Sequence, residues 1–160
     1  MIVLVRCDDR LIHGQSMTVI VKEYKINNII VIDPTTAANP ILRTIFQKAV
    51  PAAIHADVYN VDGAIPAIEK ALTDGSTTEI LMKEPQPYAE LLEKVEGIPK
   101  TLNVGPMSAH KGTIRVNPAI NVLPAEGEAL KKAVSLGAEV YFQQVPSQQR
   151  IDWDQVADQF

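Results

Sequence analysis

The sequence predicts an α/β fold: a single domain over residues 1–160, with a mostly parallel β-sheet and helices on both faces. Three observations predict it. Short apolar, β-branched runs such as Ile2–Val5 and Ile29–Ile32 are continuous rather than alternating, as in strands covered on both faces. Amphipathic segments with helical spacing lie between such runs. The connections are mostly short, and no repeat, low-complexity tract or linker breaks the alternation.

Ile2-Val3-Leu4-Val5 is the first strand, and Ser16 to Lys25 follows as a helix with Met17, Ile20, Val21 and Tyr24 at helical spacing. Ile29 to Ile32 is the second strand, ended by the turn chemistry of Asp33-Pro34-Thr35-Thr36. Asn39-Pro40 opens a helix with proline in its first turn. Ile41, Leu42, Ile45, Phe46 and Ala49 form its apolar face, and Pro51 stops it. His55 to Val61 alternates as a third strand, and Asp62 is the expected N-cap of a helix from Ala64 to Leu72, which Gly75 ends. Glu79–Met82 is a fourth strand, and Pro87 to Val95 a helix with Leu91, Leu92 and Val95 inward. Thr101–Val104, Thr113–Val116 and Ile120–Val122 read as strands, with a turn at Gly105-Pro106-Met107-Ser108. Pro124 to Leu136 is a helix with acids early, lysines late and Gly137 at its end. Glu139–Gln143 is a closing strand, and Trp153 to Phe160 adds a final helical turn or two.

A chain of 160 residues bounds one domain with a substantial core. Its composition, 46% hydrophobic and 21% charged, is that of a soluble globular protein. A net charge of −4 and a pI near 5.3 argue against a general binder of nucleic acid or anionic membranes. No apolar run approaches the roughly 18 residues that span a bilayer, and Arg6 arrives too early for a signal peptide, so a cytoplasmic protein is expected. The single cysteine, Cys7, excludes an intrachain disulfide and a metal site built on several thiolates.

Chemistry concentrates in Arg6-Cys7-Asp8-Asp9-Arg10-Leu11-Ile12-His13-Gly14-Gln15. In an open α/β sheet ligands bind at the carboxyl ends of the strands. This loop, Asp33–Thr35 and Ser108 all follow strands and share that rim if the strands are parallel. His13 and Gly14 stand at the mouth of a helix, where unpaired N–H groups suit a phosphate. Arg10 and Arg6 can offer forked donors to phosphate oxygens. A neutral imidazole can attack phosphorus through one nitrogen while its other N–H is held. The aspartates would repel phosphate, so Asp8 and Asp9 fit the task of orienting the arginines or the ring. The bland alternative stands beside this: a solvated turn with a local ion pair and a histidine satisfied at a helix start. His55 reads as structural, His110 as a loop residue near the rim, and Cys7 as core or a supporting residue.

The string Val5 to Gln15 closely resembles the N-terminal signature of the IIB components of the mannose/fructose/sorbose family, in the bacterial phosphoenolpyruvate-dependent sugar phosphotransferase system. Leu102-Asn103-Val104-Gly105-Pro106-Met107-Ser108 is similar to that family's Asn-Val-Gly-Gly-Met segment, and Gln144-Val145-Pro146-Ser147 to its last strand exit. With a similar chain length, the resemblance spans nearly the whole protein. It implies a phosphocarrier: His13 takes a phosphoryl group through Nδ1 from a IIA phosphohistidine. The group then passes to a sugar brought in by the membrane IIC and IID components, at the inner face of the membrane. It implies that Arg10 and Arg6 steady the phosphoryl, with Asp8 and Asp9 orienting them; by their place in the strand pattern, Gly14, Gln15 and Ser108 are candidate phosphate-binding or orienting residues, and Asp33 and Thr35 candidate rim residues. It implies neither metal nor organic cofactor. Three departures stand out: Cys7 replaces an aliphatic residue, Pro106 a glycine, and Gln143 and Gln148 residues that are often Arg and Asp. They bear on partner choice. Two rival functions are a regulatory protein-binding module of the same fold without phosphoryl turnover, and a phosphate-ester hydrolase using phosphohistidine. The sugar is not legible.

Overall fold

In the computed structural model, which describes residues 1–160, nine strands form. They are β1 (Ile2–Cys7), β2 (Asn28–Ile32), β3 (His55–Tyr59), β4 (Thr78–Met82), β5 (Thr101–Val104), β6 (Ile114–Asn117), β7 (Ile120–Val122), β8 (Glu139–Phe142) and β9 (Ile151–Asp152). Seven make one sheet in the order β3-β2-β4-β1-β5-β8-β9. All neighbours are parallel except β8 and β9. β6 and β7 form a separate antiparallel hairpin, which is joined to the exit of β5 where Asn121 N–H donates to Met107 O (3.0 Å).

Alternation along the buried strands sends side chains to two cores. One face gathers Val5, Cys7, Ile30, Ile32, Ile80, Met82, Leu102 and Phe142. Three helices cover it: α4 (Val61–Ala71) through Ile68, α5 (Gln86–Lys94) through Tyr88 and Leu91, and α6 (Pro124–Ser135) through Leu130. The opposite face carries Leu4, Ile29, Val31, Val58 and Leu81 under Ile20 and Val21. Those two belong to a helix whose first part is a π turn, Ser16–Ile20, running into α1 (Val21–Tyr24), with α2 (Pro34–Ala37) and α3 (Pro40–Lys48) later in the chain. The sheet has helices on both faces, as the sequence predicts.

Four local readings change. The third strand ends at Tyr59, so Asn60 rather than Asp62 caps α4, its side chain accepting from Gly63 N–H at 2.7 Å. Asp33–Thr36 is more than a turn: Asp33 caps α2 and accepts the Thr36 N–H at 3.2 Å. β9 was invisible because two residues carry no periodicity; Arg150 holds it, its guanidinium 4.0 Å over the Tyr141 ring and bonded to Asp152. The largest change is in α3. Ile41, Leu42 and Ile45 face solvent, 73%, 37% and 55% exposed, and Ala49 is exposed with them. Phe46 and Val50 pack inward instead. The helix is turned by a forked ion pair, Arg43 to Asp57 of β3 at 2.8 Å through both nitrogens, with Gln47 on the same carboxylate at 2.8 Å. The ion pair and the inward packing of Phe46 and Val50 together fix which side of α3 meets the sheet edge.

Candidate active site

The loop leaving β1 is pinned on both sides. Asp8 N–H donates to Met82 O of β4 (3.0 Å), and Asp9 N–H to Pro106 O beyond β5 (3.1 Å). The chain then doubles back, with Leu11 N–H on Asp8 O (2.9 Å) and Leu11 itself at φ 55°. A left-handed conformation costs a non-glycine residue about 1–2 kcal/mol. Burial of Leu11 and Ile12 in the apolar cluster beneath the first helix offsets that cost. The reversal places His13 over Asp8. Ser16 holds it there: its hydroxyl accepts the His13 N–H (3.0 Å) and donates to the His13 carbonyl (2.7 Å).

Asp8 is the hub. It is fully buried, with Oδ2 2.8 Å from His13 Nε2 and 3.4 Å from Arg6 Nη2. Its Oδ1 accepts the Arg10 backbone N–H at 3.2 Å, while the Arg10 Nε stands off at 3.9 Å. A carboxylate facing Nε2 fixes the ring proton there and leaves the lone pair on Nδ1. Nδ1 makes no protein hydrogen bond, and the ring is 15% exposed. The arrangement can present one free imidazole nitrogen outward with the other nitrogen held from below.

The two arginines differ. The Arg10 side chain is half exposed and free to meet an anion. Arg6 is buried, and its fork is occupied by the Asn103 side chain, the Gln144 carbonyl (2.9 Å), the Gln143 carbonyl (3.4 Å) and Asp8. Arg6 therefore braces Asp8 from inside the sheet and does not reach the rim. Asp9 turns the other way and accepts Ser108 N–H at 2.6 Å, fastening the β5 exit to the β1 exit. Gln15 meets only Gln144, at 3.5 Å, and Gly14 has open space around it. Asp33 and Thr35 share the rim but not the cluster, because β4 stands between β1 and β2. His55 and His110 make no bond to it, and Cys7 is fully buried with its thiol pushed up by burial, so no thiolate is presented.

Four participants lie in the motif segments or departures of the sequence but take no place in the site there. Asn103 and the carbonyls of Gln143 and Gln144 enter through strand register alone. Gly105 is the fourth: a Cβ there would sit 2.5 Å from the Arg6 guanidinium carbon, so only glycine lets the fork lie against the backbone. Its place after a buried asparagine strand was the available signal.

A family described as "PTS system sorbose subfamily IIB component" matches residues 2–159. The chain belongs to that family. A IIB component of this subfamily is a phosphocarrier and a phosphotransferase, which agrees with the reading of the Val5–Gln15 string. Among relatives, the fructose-specific EIIB component of Bacillus subtilis (strain 168) is 28% identical over 97% of this chain and 94% of its own length. The mannose-specific EIIAB component of Escherichia coli (strain K12) is 32% identical over 92% of the chain, which spans 46% of that longer protein. The crystal structure of an N-acetylgalactosamine-specific IIB component 1 from Escherichia coli covers 94% of the chain and 97% of its own, at TM-score 0.83 and 25% identity. The IIBSor domain from Klebsiella pneumoniae shares the fold at TM-score 0.89, 24% identity, over 100% and 98% of the two chains.

Proposed function

We propose that this IIB component carries its phosphoryl group on Nδ1 of His13. The observation that carries the reading is the 2.8 Å contact between His13 Nε2 and a fully buried Asp8, which leaves Nδ1 as the free nucleophilic nitrogen. The Nδ1 lone pair attacks phosphorus as the bond to the donor IIA histidine breaks, and the donor imidazole leaves. Asp8 keeps the Nε2 proton and offsets the positive charge that grows on the ring. Arg10, half exposed beside the ring, bears on the equatorial oxygens; Gly14 and Gln15 let the phosphoryl approach the first helical turn. In the second transfer a sugar hydroxyl attacks phosphorus and gives its proton to solvent, and the bond to His13 breaks with its electron pair returning to Nδ1. Arg6, Asp9 and Ser108 shape the site without touching the group; Asp33 and Thr35 lie on the docking rim. The acceptor is a sugar presented by membrane IIC and IID components, so the chain works in the cytoplasm against the inner face of the membrane, with no metal or organic cofactor. No helix is long and apolar enough to cross a membrane.

The test is labelling by phosphoenolpyruvate with the general phosphotransfer proteins and a IIA protein of this family. One acid-labile, base-stable phosphate per chain is expected, and none in His13→Ala. Label persisting in that variant would move the site elsewhere; no label in the unaltered chain from any IIA of its host would favour a binding module.

A further inference from the structure

Glu79 is the least explained group in the molecule. It sits in β4, fully buried, and neither carboxyl oxygen has a hydrogen-bond partner. A buried carboxyl without a partner is costly even when neutral. Natural cores rarely keep one without use. Its place is not random. Ile80 and Met82 point to the α4–α6 face, so Glu79 points with Leu81 to the other face, the one under the first helix. In β1, Val5 and Cys7 likewise point to the α4–α6 face, which sends Arg6 to the same side as Glu79.

Register brings the two together. Glu79 pairs with Leu4 and Leu81 with Arg6, so Glu79 and Arg6 are diagonal neighbours on adjacent strands. That spacing is within reach of long side chains. The one donor of Arg6 with no partner is its buried Nε. A buried acceptor and a buried donor, both unsatisfied, thus lie on the same face of the sheet one diagonal step apart, with no ion pair formed between them. Arg6 is already bonded to Asp8, and Asp8 to His13. The charged groups nearest in effect on Glu79 are Arg6, which favours its ionised form, and Asp8, which opposes it. Its other surroundings are apolar: Leu4 of β1, Ile29 of β2 and the Ile20–Val21 wall. Tyr24, the inward titratable group of α1, reaches Tyr141 instead.

We propose that Glu79 is a positioning residue of the phosphoryl site, competing with Asp8 for the Arg6 guanidinium and so setting how firmly Asp8 holds the Nε2 proton of His13. With Glu79 neutral, Arg6 belongs to Asp8 and part of the Asp8 charge is cancelled. With Glu79 ionised, Arg6 is shared, and Asp8 has more charge left for the ring. Burial, which pushes the Glu79 carboxyl up to about 7, places the exchange in the range where the cell works. The effect passes through two hydrogen bonds and needs no movement of the backbone. The inference rests on His13 being the carrier.

The experiment uses the full unphosphorylated chain with ¹⁵N-labelled histidine and ¹³C-carboxyl-labelled glutamate, followed by NMR from pH 5 to 9. The His13 ring-nitrogen shifts should show a second inflection at the pH where the Glu79 carboxyl titrates. That inflection should be lost in Glu79→Gln and in Glu79→Leu, the second chosen because the surrounding wall is apolar. His13 shifts that ignore the Glu79 titration, or that keep the second inflection in either variant, overturn the proposal. The unaltered chain alone decides the matter if a variant fails to fold. Coupled inflections in a chain that takes no label at His13 would sink the phosphocarrier assignment while leaving the link between Glu79 and His13 standing.

Discussion

At the scale of single residues, the site divides between groups that face solvent and groups that hold them. Arg10 and Asp8 are the clearest pair. Arg10→Ala should slow phosphoryl acceptance by about 10²-fold while unfolding free energy stays within about 0.5 kcal/mol, because its side chain is half exposed. Asp8→Asn should do damage of both kinds. The ring loses its fixed tautomer, with transfer down by about 10²-fold or more, and buried Arg6 loses its counter-ion at a cost of about 3 kcal/mol. Urea titration beside a labelling time course separates the two cases. If Arg10→Ala lost stability as heavily as Asp8→Asn, the division would be wrong. What was legible here was chemical type. His13, Arg10 and the two aspartates announce themselves within ten residues of sequence. That Arg6 faces inward was not legible, because its partners Asn103, Gln143 and Gln144 lie about a hundred residues or more away and arrive only through β5 and β8.

At the scale of elements, most strands and helices follow from local pattern, since runs like Ile29–Ile32 and the Pro124–Ser135 helix carry their own signals. The exceptions were decided by neighbours. In α3 the Arg43–Asp57 fork and Phe46 face the sheet edge while Ile41 and Ile45 face solvent, an orientation no window on the helix alone could reveal. The double variant Ile41→Gln/Ile45→Gln should accordingly unfold within about 0.5 kcal/mol of the parent, whereas Leu91→Ala in α5, wholly buried, should lose about 2–5 kcal/mol. Thermal melts of the two compare them directly. The turn after β5 makes a second point. Gly105→Ala would drive a methyl into the clamped Arg6 fork, costing about 1–3 kcal/mol and slowing transfer because Asp8 loses its brace. Equal transfer rates in variant and parent would show that the brace is dispensable.

At the scale of the whole molecule, Glu79 ties stability to pH. Its carboxyl is raised from 4.5 to about 7 by burial, so the folded state keeps a proton that the unfolded chain releases first. The stability tied to that proton is fully present below about 4.5 and is lost as pH rises through about 7. A rise of that size corresponds to a loss on the order of 3 kcal/mol by pH 8. Glu79→Gln should remove the decline, so the difference between variant and parent grows from pH 5 to pH 8. Asp57, held low by Arg43, acts in the opposite direction at acid pH and cancels in that difference. A constant difference across the range would mean that Glu79 does not titrate in the fold.

The strand order has a consequence for how the protein comes into being. β1 is made first, yet its two neighbours are β4 and β5, and the inner end of Arg6 closes on carbonyls at residues 143 and 144. A nascent chain that has emerged through residue 82 holds the whole Arg6–Gln15 string but only one wall of its seat. Under the proposed assignment, competence to take a phosphoryl group therefore waits until residues 143 and 144 are in place. On the proposed assignment, a fragment with the complete motif and no β5 or β8 takes no label on His13, so the label reports a closed sheet as well as an intact motif.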